Sequence, residues 1–213
     1  MFESASKSLQ PHKFFERMLS NDLDLLSREL KDRYSKIESA ELLGVTPLTG
    51  EEIWKESNSV STMKWQQYNV FQFHILGIRE LYNSVSEMVK EACEYYDVDF
   101  YKQNYMLQGW FNINYAKTGK LDWHDHAPSG APFFHGYYAV NAEPSQTHYY
   151  TFGEHKINEN KNNKAILSEM GHLHAQGDWD WDGPRITVAY DVIPFIDLQA
   201  AAPDQEQHWI PLS

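Results

Sequence analysis

Residues 121–126 read Leu-Asp-Trp-His-Asp-His, and this stretch decides how the rest of the chain is interpreted. Side chains of an extended strand alternate between its two faces. His124 and His126 therefore point to one side, and Asp125 points to the other. Two imidazoles on one strand face are half of a metal site, so the stretch predicts such a site with a further ligand from elsewhere in the chain.

A second His-x-His stretch offers two candidates for that further ligand. His172 and His174 are also two residues apart, so either could reach the metal if the stretch is a strand. Clustered imidazoles without cysteine partners suit iron, zinc, copper or nickel. The histidine spacing does not choose among these metals, and each histidine taken singly could equally be a packed, hydrogen-bonded residue.

The strand predicted at residues 185–193 begins with a cation. Arg185 and Thr187 share one of its faces with Ala189 and Asp191, whereas the opposite face is apolar and predicted to pack on helices. A buried guanidinium without a partner is costly, so an inward arginine needs an anion. A carboxylate bound by both arms of the guanidinium, with help from the hydroxyl, meets that need. A structural salt bridge is the alternative.

Helical periodicity precedes these strands. Apolar residues recur at intervals of three and four over residues 11–42, with Asn21-Asp22 as a helix N-cap, and over residues 74–96, whose stripe predicts a helix packed on a sheet. From about residue 104 the period changes to two, and strands are predicted at 105–115, 120–127, 133–140, 165–176 and 185–193. Residues 153–164 are polar and asparagine-rich, which indicates a surface loop.

This order of elements predicts an α+β fold in a single domain. Residues 1–103 form a mainly helical part, residues 104–196 a double-sheet roll or barrel, and residues 197–213 a weakly patterned tail. The helices are expected to pack on the outer sheet.

Composition narrows the function classes. The formal net charge of −12 argues against nucleic acid and anionic membranes as partners. Cys93 is the single cysteine, which fits a reducing compartment. The first residues lack the pattern of a signal peptide, and no apolar stretch is long enough to span a bilayer. We therefore expect a cytoplasmic protein, whose oligomeric state the sequence does not predict.

Several motifs resemble those of one enzyme superfamily. Trp-x-Asn at 110–112, His-x-His at 124–126 and a Gly-x-Tyr-Tyr-like strand at 136–140 (Gly-Tyr-Tyr-Ala-Val) occur in the order seen in small bacterial and phage oxygenases. Tyr115…Gly119…His124-x-His126 is similar to a run in prolyl hydroxylases and alkylation demethylases. His174 followed eleven residues later by Arg-x-Thr is similar to their distal histidine and arginine. The chain thus resembles the Fe(II)/2-oxoglutarate-dependent oxygenase superfamily over somewhat under half its length.

The resemblance implies a double-stranded β-helix, Fe(II), O2 and 2-oxoglutarate as co-substrate. It implies a hydroxylase that oxidises a C–H bond of a small molecule or peptide and releases succinate and carbon dioxide. Its metal ligands are expected to be His124, His126 and His174, since His172 lies thirteen residues before the arginine rather than eleven. Arg185 and Thr187 are expected to hold the far carboxylate of 2-oxoglutarate, with a further hydrogen bond from Tyr115.

One position departs from the superfamily pattern of two histidines and a carboxylate. His126 stands where the carboxylate is usual, and Asp125 could ligate only if the strand were bulged, or could act as a hydrogen-bond partner. With three neutral imidazoles, bound 2-oxoglutarate is expected to bring all of the compensating negative charge. Two alternatives stay open, namely a three-histidine dioxygenase without 2-oxoglutarate and an inactive ligand-binding roll.

One stretch of the sequence bears on the class of substrate. Residues 178–182 read Asp-Trp-Asp-Trp-Asp, and carboxylates alternating with indoles can receive a cation. Trp179 and Trp181 are therefore candidate contacts for a substrate that carries an amine. A solvated turn with both tryptophans packed on the rim of the roll is the simpler interpretation.

Overall fold

The computed structural model describes residues 11–41, 59–64, 68–114, 122–126, 134–151, 153–169, 172–201 and 203–213. Its α-helices are α1 (Leu23–Glu41), α2 (Leu76–Tyr95) and α3 (Phe195–Ala201). Short 3-10 turns occur at Thr62–Lys64, Val70–Gln72, Phe100–Lys102 and Pro203–His208. The strands are β1 (Phe15–Met18), β2 (Ser59–Ser61), β3 (Tyr105–Asn114), β4 (Phe134–Asn141), β5 (Ser145–Thr151), β6 (Glu154–Asn160), β7 (Lys164–Glu169), β8 (Leu173–Gln176), β9 (Arg185–Pro194) and β10 (Ile210–Pro211).

Two antiparallel sheets face each other. The larger sheet has the order β1-β7-β4-β9-β3-β10, with β2 also paired to β3, and the smaller sheet has the order β6-β5-β8. Side-chain hydrogen bonds join the inner faces, for example from Tyr137 on β4 to Asn160 on β6 and from Asn114 on β3 to Gln176 on β8. The predicted double-sheet roll is therefore present.

The main core lies between the larger sheet and the helices. The buried stripe of α2 packs against the outer face of this sheet, as predicted, and it contains Ile78, Leu81, Val85, Met88, Val89 and Ala92. Alternate side chains of β9 enter the same core, namely Ile186, Val188, Tyr190 and Val192. The face of β9 that carries Arg185 is consequently turned into the roll. None of the helices in the described part of the chain is long and apolar enough to cross a membrane.

The helix predicted near the N-terminus begins later than its apolar spacing suggested. Phe15–Met18 is a strand, paired with β7 at the edge of the larger sheet. Phe15 is buried and so enters the core from an extended segment, whereas Met18 is exposed. Four residues are too few to separate the two periods. The predicted cap is confirmed, because the Asp22 side chain accepts a hydrogen bond from the Leu25 amide at 3.0 Å.

The polar segment predicted as a surface loop is instead the strand β6. Its inward residues have partners that only the fold provides. Tyr137 donates to Asn160 at 2.6 Å, and Lys164 donates to Asn158 at 2.5 Å. Asparagine is depleted in strands when its amide lacks such partners, so the composition of this segment was misleading.

The single strand predicted over residues 165–176 is two strands in different sheets. β7 belongs to the larger sheet and β8 to the smaller one. The chain crosses between the sheets after Glu169, and this crossing carries His174 onto the sheet that faces β9.

Candidate active site

The three predicted ligands lie close together inside the roll. One potential ligand atom from each of His124, His126 and His174 lies within 4.8 Å of the others. Residues 122–126 are joined to β8 by a pair of backbone hydrogen bonds between His124 and His174, of 3.0 and 2.9 Å. This is an isolated bridge rather than the regular strand expected over 120–127, whose ends lie outside the described residues. The predicted alternation nevertheless holds, and Asp125 is exposed.

All three imidazoles make a hydrogen bond through the Nδ1 atom to an oxygen acceptor. The Nδ1 atom of His124 lies 2.7 Å from the Asp122 carbonyl oxygen, and that of His174 lies 3.3 Å from the His172 carbonyl oxygen. The Nδ1 atom of His126 lies 3.1 Å from a carboxylate oxygen of Asp191. Since carbonyls and carboxylates only accept, each Nδ1 atom is the donor, and each Nε2 atom offers its lone pair when the ring is neutral. The donor set therefore fits a divalent transition metal.

A second cluster shares His126 and was not identified from the sequence. Potential ligand atoms of His126, His135 and Asp191 also lie within 4.8 Å of one another. The Nδ1 atom of His135 is 2.8 Å from Asp191, whose inward direction was expected but whose partners were not. His135 and Asp191 are directly opposite in the register of β4 and β9. Side-chain parity could have marked His135 as inward, but no sequence signal pairs it with Asp191.

Burial sets the protonation of this region. Desolvation, reinforced by the neighbouring His126, lowers the pKa of His135 to about 4. Desolvation also holds the pKa of His174 well below its ordinary value. Burial would raise the pKa of Asp191, but His126 and the hydrogen bonds from both histidines outweigh it and lower that pKa to about 2. At neutral pH the region thus holds neutral imidazoles at His135 and His174 beside a carboxylate anion.

Arg185 lies elsewhere in the same interior and has the opposite charge. It is 5% exposed, and its Nε atom donates to the Ser145 hydroxyl at 3.2 Å. Burial lowers its pKa to about 10, although Tyr137 acts in the opposite direction, so it remains a cation at neutral pH. Among the described residues, no carboxylate forms an ion pair with it. Thr187 is buried on the same face of β9.

Buried amides adjoin the guanidinium. Asn114 lies opposite Arg185 in the register of β3 and β9, and its side chain donates to Gln176 at 2.5 Å. The Nε2 atom of Gln176 is buried without an acceptor in the described part of the chain. Because this residue is two positions after His174 on β8, it faces the same interior. Asn114 and Gln176 were missed from the sequence because their roles depend on strand pairing.

Two other predicted site residues lie away from the histidine cluster or outside the described chain. His172 stacks edge-on against His12, with ring centroids 4.6 Å apart, and it belongs to neither cluster found among the described residues. This placement agrees with the preference for His174. Tyr115 lies outside the described residues, so its role stays a prediction.

The two tryptophans of the acidic stretch differ in environment. Trp179 is 1% exposed, and its indole N–H donates to the Gly183 carbonyl at 3.0 Å. Trp181 is 58% exposed. Trp179 closes the turn as a packed residue, whereas Trp181 is accessible to a ligand.

Comparisons with known proteins bear on the fold. No protein-family model matches the sequence, and the curated proteins contain no significant match to it. A prolyl-4-hydroxylase from Pseudomonas putida superposes with a TM-score of 0.59 at 9% identity, covering 86% of this chain and 93% of that one. The non-heme alpha-ketoglutarate-dependent carbocyclase SnoK of nogalamycin biosynthesis gives a TM-score of 0.53 at 11% identity, covering 86% and 80%. The expected double-stranded β-helix is therefore confirmed.

Proposed function

We propose that this double-stranded β-helix is an Fe(II)- and 2-oxoglutarate-dependent oxygenase that hydroxylates a C–H bond. One observation carries the proposal. The interior holds three imidazoles with available Nε2 atoms and, on β9, the buried guanidinium of Arg185 without a carboxylate partner among the described residues. A 2-oxo diacid bound to iron requires both, a metal for its 2-oxo acid end and a cation for its far carboxylate.

His124, His126 and His174 are the proposed metal ligands. Their Nδ1 hydrogen bonds hold each ring with its Nε2 atom available, so little side-chain entropy remains to be lost when the ion binds. Bound iron and 2-oxoglutarate together supply the oxidising chemistry, in which O2 is consumed and the co-substrate becomes succinate and carbon dioxide.

Arg185 and Thr187 are the proposed contacts for the far carboxylate, joined by Tyr115. A guanidinium can bind a carboxylate through two parallel hydrogen bonds, and a buried site strengthens that attraction. The interior is also lined by an apolar cluster that excludes water and so protects reactive species from side reactions. Its members are Trp110, Tyr137, Tyr149, Ile166 and Ala189.

The proposed substrate is a small molecule or peptide that carries an amine. Trp181 is exposed between the exposed residues Asp180 and Asp182, which is suitable for a cation over an aromatic face. Trp181→Ala should impair turnover of such a substrate and spare uncoupled decay of 2-oxoglutarate. Trp179→Ala is the matched control, because loss of a buried tryptophan should lower the melting temperature and both activities together.

A succinate-release assay tests the function. Protein reconstituted anaerobically with Fe(II) is mixed with 2-oxoglutarate, ascorbate and O2, and amino acids, amines and short peptides are screened. We expect stoichiometric iron, saturable 2-oxoglutarate binding and succinate release that one substrate class stimulates. Iron-loaded protein that oxidises a substrate without 2-oxoglutarate would instead identify a three-histidine dioxygenase, and failure to bind iron would refute both.

A further inference from the structure

Asp191 occupies an unusual position for a buried carboxylate. It is 9% exposed, and it accepts hydrogen bonds from the Nδ1 atoms of His126, at 3.1 and 3.3 Å, and of His135, at 2.8 Å. The only ion-pair contacts to it in the described part of the chain come from these two histidines, with no lysine or arginine. A buried carboxylate paired only with imidazoles leaves a negative charge that a nearby cation would compensate.

We propose that Asp191 is a positioning residue that supplies, through its hydrogen bond to His126, the negative charge that a carboxylate ligand would otherwise bring to the metal. His135 holds Asp191 in place from the opposite strand. This inference rests on the proposed function, in which His126 is a ligand, and it identifies a partner that the sequence motif does not contain.

The geometry separates this role from direct ligation. Asp191 meets His126 at Nδ1 and leaves the Nε2 atom of that ring unused, and His126 also offers a ligand atom to the cluster with His124 and His174. An ion bound between Asp191 and His135 would replace two hydrogen bonds and lose the other two imidazoles. A carboxylate that accepts from a ligating imidazole fixes its tautomer and raises its basicity, which strengthens the metal bond.

Charge counting gives the same result. A divalent ion with three neutral imidazoles retains two positive charges, whereas one with two imidazoles and a carboxylate retains one. Asp191 is hydrogen-bonded to His126 in a buried site, so its negative charge brings the net charge of the region back to one. It does so through the imidazole and without binding the ion. In this proposal, 2-oxoglutarate brings only part of the compensating negative charge.

The decisive variant is Asp191→Asn, which keeps the side-chain shape and removes the charge. Affinities for Fe(II) and for Co(II), as an oxygen-stable substitute, are measured anaerobically by equilibrium titration. We expect one ion per chain with affinity about 10–100-fold weaker than wild type. We also expect 2-oxoglutarate to bind the Co(II)-loaded variant at least as tightly as wild type, because its negative charges meet a more positive site.

Two further variants make the test specific. His135→Asn exchanges the imidazole N–H for an amide N–H that can still donate to the carboxylate, so its loss of metal affinity should be smaller. The double variant His126→Asp with Asp191→Asn returns a carboxylate to the ligand position and should recover the affinity that Asp191→Asn loses. If Asp191→Asn does not fold but the double variant does, we expect wild-type-like metal binding by the double variant, and weak binding by it overturns the inference.

The outcomes distinguish the inference from the function on which it rests. Asp191→Asn with wild-type metal affinity overturns the inference and leaves the proposed function intact. A folded Asp191→Asn that binds no metal makes Asp191 a ligand and also overturns it. Wild-type protein that binds neither ion refutes the proposed function itself.

Discussion

The face of β9 that points into the roll carries opposite charges at its two ends. Within the segments that the structure describes, each end lacks a side chain of the opposite full charge that would neutralise it, a lysine or arginine at one end and a carboxylate at the other. Around Asp191 lie imidazoles and a carboxylate that no lysine or arginine among the described residues neutralises. Around Arg185 lie hydroxyls and amides, and no carboxylate in the described part of the chain pairs with the guanidinium. Both charges are buried on one strand, yet each has its own neighbours. One end is therefore suited to a cation and the other to an anion.

Removal of a proposed ligand should have the largest effect. His174→Ala and His124→Ala should each abolish stoichiometric metal binding, because two imidazoles cannot replace three in the cluster. Metal content after anaerobic reconstitution and desalting is the measurement. His172→Ala is the matched control, since that ring lies against His12. If the control loses its metal and His174→Ala retains it, the ligand assignment is wrong.

Binding of 2-oxoglutarate, the proposed anionic ligand at the other end of β9, should depend on Arg185. Arg185→Ala should weaken 2-oxoglutarate binding by about 2–5 kcal/mol, because a charge pair with hydrogen bonds is lost. Metal affinity should stay unchanged, since the two ends have separate neighbours. Arg185→Lys keeps the charge without the planar fork and should lie between wild type and Arg185→Ala. Equal 2-oxoglutarate affinity in all three proteins would show that the anion binds elsewhere.

Only the histidine end should respond to mild acid. Because the folded protein lowers the pKa of His135 to about 4 from 6.5, the unfolded chain binds its proton more readily. The contribution of this pKa difference to the free energy of unfolding is fully present above pH 6.5. It falls by about 3 kcal/mol as the pH is lowered towards 4. Urea unfolding of metal-free protein at pH 7 and pH 5 should show about 2 kcal/mol of this loss, and His135→Asn should reduce the difference. Arg185 stays charged throughout this range, so an unaltered pH response in His135→Asn would contradict the assignment.

The smallest effect is expected at Gln176. Gln176→Met preserves the approximate size of the side chain but removes the buried donor near Arg185, so 2-oxoglutarate should bind about 1.5 kcal/mol more weakly. Metal affinity and the proposed ligands should be unaffected. Isothermal titration of 2-oxoglutarate into metal-loaded protein is the measurement. Unchanged affinity would mean that the amide serves only Asn114.

Local patterns were predictable where a single element decides them. The stripe of α2 and the alternation of β9 follow from the helical and strand periods, so the helix packing and the inward direction of Arg185 are confirmed. The shared face of His124 and His126 follows in the same way, although the strand that carries them is reduced to a bridge. Errors arose where short segments fit either period, as at Phe15–Met18, or where polar composition suggested exposure, as in β6.

By itself, the sequence determined the double-sheet roll and which residues of β9 and of the stretch 124–126 face its interior, because side-chain alternation is a property of each strand alone. Tertiary structure alone decided the partners. His135 faces Asp191 because β4 pairs with β9 in that register, and Asn114 reaches Gln176 because the two sheets close on each other. Register and closure depend on the packing of residues far apart in the chain. The charge next to His126 was therefore visible only in the folded protein.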